Sequence, residues 1–185
     1  MRFNQIFSIF LPLEMKQQLI LSQCRQLLQA YQEGKLGYMK MPEDENPGFS
    51  EPEREEKICY FTLPMALNYQ RNSYKLRESA LTTRNDPTTR EVFSIHASSQ
   101  LSKDQLREKL MKYKVALQPN KHIETRSTIS QTVFTHWGDL STLLASTNYD
   151  FLQLKTLIQT THKKGFPYLS GPKIFNYWSY ILQRY

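Results

Sequence analysis

The chain has 185 residues, 39% of them hydrophobic and 12% aromatic, with a formal net charge of +7 and a pI near 9.4. That is globular composition, long enough for one sizeable core, and with six glycines it excludes collagen-like, low-complexity and Gly-rich sandwich classes. The two cysteines, Cys24 and Cys59, have no C-x-x-C spacing, which argues against a disulfide framework and against a zinc or iron-sulfur site. Reduced thiols in an intracellular, cytoplasmic or nucleoid setting are expected, and no metal or cofactor is called for.

No apolar run reaches the length of about 20 residues that crosses a bilayer, so no membrane partner is expected. At the N-terminus Asn4, Gln5 and Ser8 interrupt the apolar residues and no small-residue cleavage site follows. The reading there is an apolar arm packed on the core. From Leu13 to Glu33 the residues Ile20, Cys24, Leu27, Leu28 and Tyr31 fall on one helical face, and Gly34 supplies a stop. Residues 1–40 are thus read as an arm and a helix.

Between Glu43 and Glu56 lie seven of the 17 acids, with Pro47, Gly48 and Pro52 among them. Such a stretch cannot continue a helix or strand, and residues 41–56 are read as an acidic linker. Residues 57–185 are read as the helical domain. Its predicted elements are a helix from Pro64 to Leu81, ended by Asn85-Asp86-Pro87, then a short strand or loop at Glu91 to Ile95. Ser102 with Gln105 makes a capping box that opens a helix from Lys103 to Leu117, closed by Pro119.

Further helices are expected at Lys121 to Trp137, before Gly138, and at Leu140 to Ala145. Another, capped by Asn148 or Asp150, carries the stripe Phe151, Leu154, Leu157 and Ile158 up to His162. The last has Ser170 as N-cap, Pro172 in its first turn, and Ile174, Trp178, Ile181, Leu182 and Tyr185 on one face. The fold class is all-α, a multi-helix array. The four histidines, His96, His122, His136 and His162, never fall at i, i+4, and no G-x-S-x-G or phosphate-binding glycine loop is present.

From Phe151 to Tyr185 there is no acid, while Lys155, Lys163, Lys164, Lys173 and Arg184 are basic. A field of that sign attracts phosphate. The stretch His162 to Lys173 is a basic turn that opens directly into the last helix, whose N-terminal N–H groups and dipole favour an anion. Gly171 gives the backbone or a phosphate room for close approach there.

Here Phe166-Pro-Tyr-Leu-Ser-Gly-Pro-Lys173 resembles the helix-hairpin-helix motif of DNA repair proteins, and more particularly of the helix-hairpin-helix DNA glycosylase superfamily. Gly171 matches the second glycine of that pattern, and Leu169 stands where the first is expected. The resemblance, which covers roughly the last 55 residues, implies a C-terminal helix-hairpin-helix-like motif on an all-α fold. It implies duplex DNA held in a sequence-tolerant way through main-chain N–H groups of the hairpin, with Lys163, Lys164, Gly165, Leu169, Ser170 and Gly171 at the backbone. Lys173 takes the place of the lysine that forms a Schiff base in bifunctional members, and Gln70 and Arg71 resemble the Gln-containing helix start near the opened DNA.

The family also places an aspartate downstream of the hairpin, and none of the 12 residues after Lys173 is acidic. The chain is therefore expected to bind DNA without cutting it, unless a carboxylate is supplied from beyond Tyr185. The alternative class is a non-enzymatic helical protein-interaction module, its basic face meeting an acidic protein or the chain's own Glu43 to Glu56. Trp178 is read as core, with Tyr177 and Tyr180 left open as a stacking surface for bases.

Overall fold

The computed structural model describes residues 12–36, 48–49, 54–68, 71–183 and 185. Among the described residues there are nine α-helices and no strand. The chain divides into two compact units, Met1–Met41 and Pro42–Tyr185. The expected apolar arm before Pro12 lies outside the described residues, as does Gln70.

The first unit contains α1 (Leu13–Gln32), which ends as the sequence predicts, with Gly34 at φ +72°. The stripe of Ile20, Cys24, Leu27, Leu28 and Tyr31 forms, but no residue of α1 is buried.

The second unit is built round α2 (Arg54–Leu67), where sequence periodicity places the end of a linker and the start of a helix. Every residue from Lys57 to Leu67 is buried, so the helix is enclosed on all sides and has no amphipathic period to detect. Pro64 lies inside it rather than at its start. The expected helix over Pro64 to Leu81 is therefore two: α2, and α3 (Ser73–Asn85), which Asn72 caps by accepting from the Lys75 N–H at 3.1 Å.

Around α2 pack α9 (Pro172–Leu182), α6 (Lys121–Trp137), α7 (Leu140–Ser146) and α3. The central tie is Trp178, fully buried, whose Nε1–H donates to Thr62 Oγ1 at 2.8 Å. Thr62 in turn donates to the Ile58 carbonyl at 2.7 Å. Residues Arg90–Phe93 form a 3₁₀ turn where the sequence predicts a strand or loop, leading into α4 (Ile95–Gln100). In α5 (Lys103–Lys112) both bonds of the Ser102–Gln105 capping box are present. It stops short of Leu117 because Lys114 takes φ +60° and the Ala116 N–H turns back to the Leu110 carbonyl, seating Val115 and Ala116 in the core.

α6 lies against α4 and α5 and carries one buried cation, Arg126. Its Nη2 donates to Ser98 Oγ at 2.7 Å and to the Ser94 carbonyl at 3.3 Å. Burial pulls this guanidinium down to about 10, which leaves it charged at neutral pH. After α7, Asp150 rather than Asn148 caps α8 (Phe151–Thr156), while Asn148 and Tyr149 both take left-handed backbone at φ +52° and +55°. The chain then widens into a π turn over Leu157–Thr161 and reaches the turn that opens α9.

Candidate nucleic-acid interface

The turn between α8 and α9 is anchored from inside. Phe166, Leu169 and Phe175 are fully buried, so the chain dips into the core twice within four residues and again in the first turns of α9. Gly165 is needed where it stands: a Cβ there would meet Thr132 Cγ2 of α6 at 2.5 Å and Oγ1 at 2.8 Å. Tyr168 takes the left-handed conformation, φ +63°, that reverses the chain.

The turn closes on itself by main-chain bonds. Leu169 N–H donates to the Pro167 carbonyl, Ser170 N–H to Phe166 and Gly171 N–H to Tyr168, at 2.8, 2.9 and 2.9 Å. Three N–H groups expected to meet DNA are thus taken up within the turn, and the Leu169 side chain is core rather than surface. What the turn leaves for an anion is the start of α9. Gly171, not Ser170, is its N-cap and brings no side-chain acceptor, and Pro172 has no N–H. The N–H groups of Lys173 and Ile174 come before the first bond across the helix start, from Phe175 N–H to the Gly171 carbonyl.

Lys163 and Lys164 in the turn and Lys173 in the first turn of α9 are all exposed, and none forms an ion pair among the described residues. A fourth cation, carrying no role in the sequence pattern, joins them: Lys121 Nζ stands 4.9 Å from the Tyr168 ring centroid. A signal was present, because Lys121 and Lys173 are both cations in a helix's first turn, where the macrodipole disfavours them. His162 packs its ring against His136 and Trp137 at 4.7 and 5.0 Å, seating the turn on the end of α6.

Arg71 is placed differently. Its Nη1 donates to the Val115 carbonyl at 2.7 Å, joining the α2–α3 connection to the end of α5. Its charge bears on buried His122, next to Lys121. Lys173, in the first turn of α9, is exposed.

Four carboxylates, of Glu55, Glu56, Glu91 and Asp139, line a separate cavity. This cavity of about 580 Å³ beyond the C-terminal end of α6 is lined by Phe49, Glu55, Cys59, Tyr60, Phe93 and Asp139, among others. Glu55 is held there by the N–H groups of Leu140 and Ser141 at 3.1 and 2.8 Å and by the Ser141 hydroxyl at 2.5 Å. It accepts the Cys59 S–H at 3.0 Å. Burial, and then the Glu55 charge, push the Cys59 thiol well above its ordinary range, which makes it a packed hydrogen-bond donor and not a nucleophile. Asp139 is likewise occupied, capping α7 through the Thr142 N–H at 2.6 Å.

No protein-family model, curated protein or solved structure matches the chain.

Proposed function

We propose that the chain binds the phosphate backbone of duplex DNA, without reading sequence, through the basic turn from Lys163 to Lys173 and the first turn of α9. The observation that carries this is a short turn that holds the exposed Lys163 and Lys164, brings Lys121 to its Tyr168 ring, and opens at Lys173 into a helix start whose leading N–H groups have no capping side chain. Charge and geometry there favour the same ligand, an oxyanion.

On this reading the turn is helix-hairpin-helix-like and the protein is akin to DNA repair glycosylases in how it grips DNA. It differs in one respect: lysine side chains and the α9 start meet the phosphates, because the hairpin N–H groups are bonded within the turn. The first function is binding and not base release, since Lys173 is exposed and the carboxylates Glu55 and Asp139 are engaged in capping α7.

Fluorescence anisotropy of a labelled duplex across a salt series tests it. Three to four phosphate contacts give a log–log salt slope of about −3, and each lysine-to-alanine change lowers that slope by about one. Absence of binding at low salt, or affinity indifferent to salt, rejects the proposal. Borohydride with abasic-site DNA is expected to trap no adduct, and a Lys173-dependent adduct would overturn the binding-only assignment.

A further inference from the structure

α9 does more than start at the basic turn. Its outward face carries Lys173, Asn176 and Tyr180, at i, i+3 and i+7, with Tyr177 half-buried beside them, while Phe175, Trp178, Ile181 and Leu182 face the core. Basic and aromatic groups therefore follow one another along roughly 10 Å of one helix side. The Tyr177 and Tyr180 rings are parallel to within 8°, with centroids 6.5 Å apart, so a flat group stacked on one lies parallel to the other.

Tyr180 also forms one wall of a groove of about 740 Å³ whose other side is Tyr149 and Phe151 and whose rim holds Arg54. Tyr149 is 60% exposed, Tyr180 48% and Phe151 45%. Among the described residues no acid lines the groove, and three described acids close to its lining residues in the chain are engaged. Asp150 caps α8, Glu55 caps α7, and Glu56 lies 3.8 Å from Arg84. The Arg54 guanidinium lies 5.1 Å from the Tyr149 ring centroid. Tyr149 is held outward by the consecutive left-handed residues Asn148 and Tyr149, a conformation that residues with side chains disfavour and that a fold keeps only where its surroundings impose it.

We infer that this groove and the adjoining face of α9 are a stacking platform for single-stranded nucleic acid, with bases lying on Tyr180 and Tyr149 and phosphates meeting Arg54 and Lys173. Half-exposed aromatic rings interleaved with cations, in a groove with no acid among its described lining residues, match the two needs of a single strand: a π face for each base and positive charge for each phosphate. An apolar peptide would use the rings but leave the cations unmatched. The inference rests on the phosphate-binding role of Lys173, and it extends that role from duplex to the unpaired strand.

The test compares the full chain with Tyr180→Ala, Tyr149→Ala, Tyr180→Phe and Lys173→Ala, using a fluorescein-labelled oligodeoxythymidylate and a duplex of equal length, at low salt. Both tyrosines are exposed, so their truncation spares the core, and an unchanged melting temperature verifies this. Each alanine variant is expected to weaken single-strand binding by about 5- to 100-fold, the range of one base–aromatic stack, and to leave duplex binding within about twofold. Tyr180→Phe should retain wild-type affinity, and Lys173→Ala should weaken both ligands. Single-strand affinity that survives both alanine variants but falls with Lys173→Ala overturns the platform and leaves the phosphate reading standing. An equal loss on duplex and single strand also overturns it, and no binding to either nucleic acid rejects both.

Discussion

Gly165→Ala separates the two roles a glycine can have at the basic turn, giving phosphate close access or letting the backbone pack. The added methyl would lie 2.5 Å from Thr132 Cγ2, more than 1 Å inside the about 3.5–4.0 Å at which carbon atoms attract. Both Cγ2 and Oγ1 of Thr132 face the added methyl, so every staggered χ1 leaves one of them in contact and relief requires α6 or the turn to move. Overpacking of this kind costs about 1–3 kcal/mol, while replacing glycine restricts the unfolded chain and returns about 0.4–1 kcal/mol. The net expectation is a loss of about 1–2 kcal/mol, or roughly 2–8 °C in Tm for a chain of this size. Urea unfolding measures it, and the double variant Gly165→Ala, Thr132→Ala should recover most of the loss, because the clash is with one side chain. Destabilisation under about 0.5 kcal/mol, or a loss that Thr132→Ala fails to relieve, refutes the packing role. If DNA affinity then fell without any loss of stability, the glycine would belong to the ligand and not to the fold.

Helices with one wet face were legible in the sequence and those without were not. α6 and α9 are found within a few residues of where periodicity and stop signals place them, since a half-exposed helix writes its 3.6-residue period into the chain. α2 left no such trace. Its buried run from Lys57 to Leu67 includes Lys57, Thr62 and Pro64, whose polarity or lack of an N–H reads locally as linker or helix start. Their burial is settled by α6, α7 and α9, which arrive much later in the chain and close round it. α1 shows the converse: its apolar face is plain from spacing, yet spacing does not say what covers a face, and every residue of that helix is accessible.

At the basic turn, the charge was legible and the hydrogen bonding was not. An acid-free stretch with Lys163, Lys164 and Lys173 announces its field whatever the backbone does. The N–H groups of Leu169, Ser170 and Gly171 depend on φ at Tyr168, where a residue with a large side chain adopts +63° and bends three donors inward. No composition rule assigns that conformation to a tyrosine. For Lys121 the first-turn position was legible and the neighbour was not: it lies far before Tyr168 in the chain, and only the packing of α6 under the turn carries its ammonium to that ring.

The remaining predictions concern buried polar groups. Thr62→Val leaves the Trp178 indole N–H buried without an acceptor, which should cost about 1–3 kcal/mol in urea unfolding; a loss near zero would mean the bond contributes nothing net. Of the two thiols, exposed Cys24 should react quickly with a maleimide and Cys59 only on unfolding, so equal rates in the native protein would contradict the burial of Cys59. His122 should make stability depend on mild acid. Its ring is 1% exposed, its Nδ1 accepts the Leu117 N–H at 3.1 Å, and its Nε2 has no partner among the described residues. Burial first, then the charges of Arg71 and Lys121, lower its pKa below the ordinary 6.5. The unfolded chain therefore binds more protons than the native one once the pH is near 6.5 or below, so stability rises with pH in that window. The contribution is whole above about pH 6.5 and is lost as the pH falls through that value toward the depressed native one, below which the loss is complete and constant. Urea midpoints taken from about pH 7.5 to about pH 5 should fall for the wild type and fall less for His122→Gln, which keeps an acceptor for Leu117 but cannot be protonated. Parallel profiles for the two proteins would show that the acid sensitivity arises elsewhere, since no other feature of the Gln variant removes the proton uptake while keeping the Leu117 hydrogen bond.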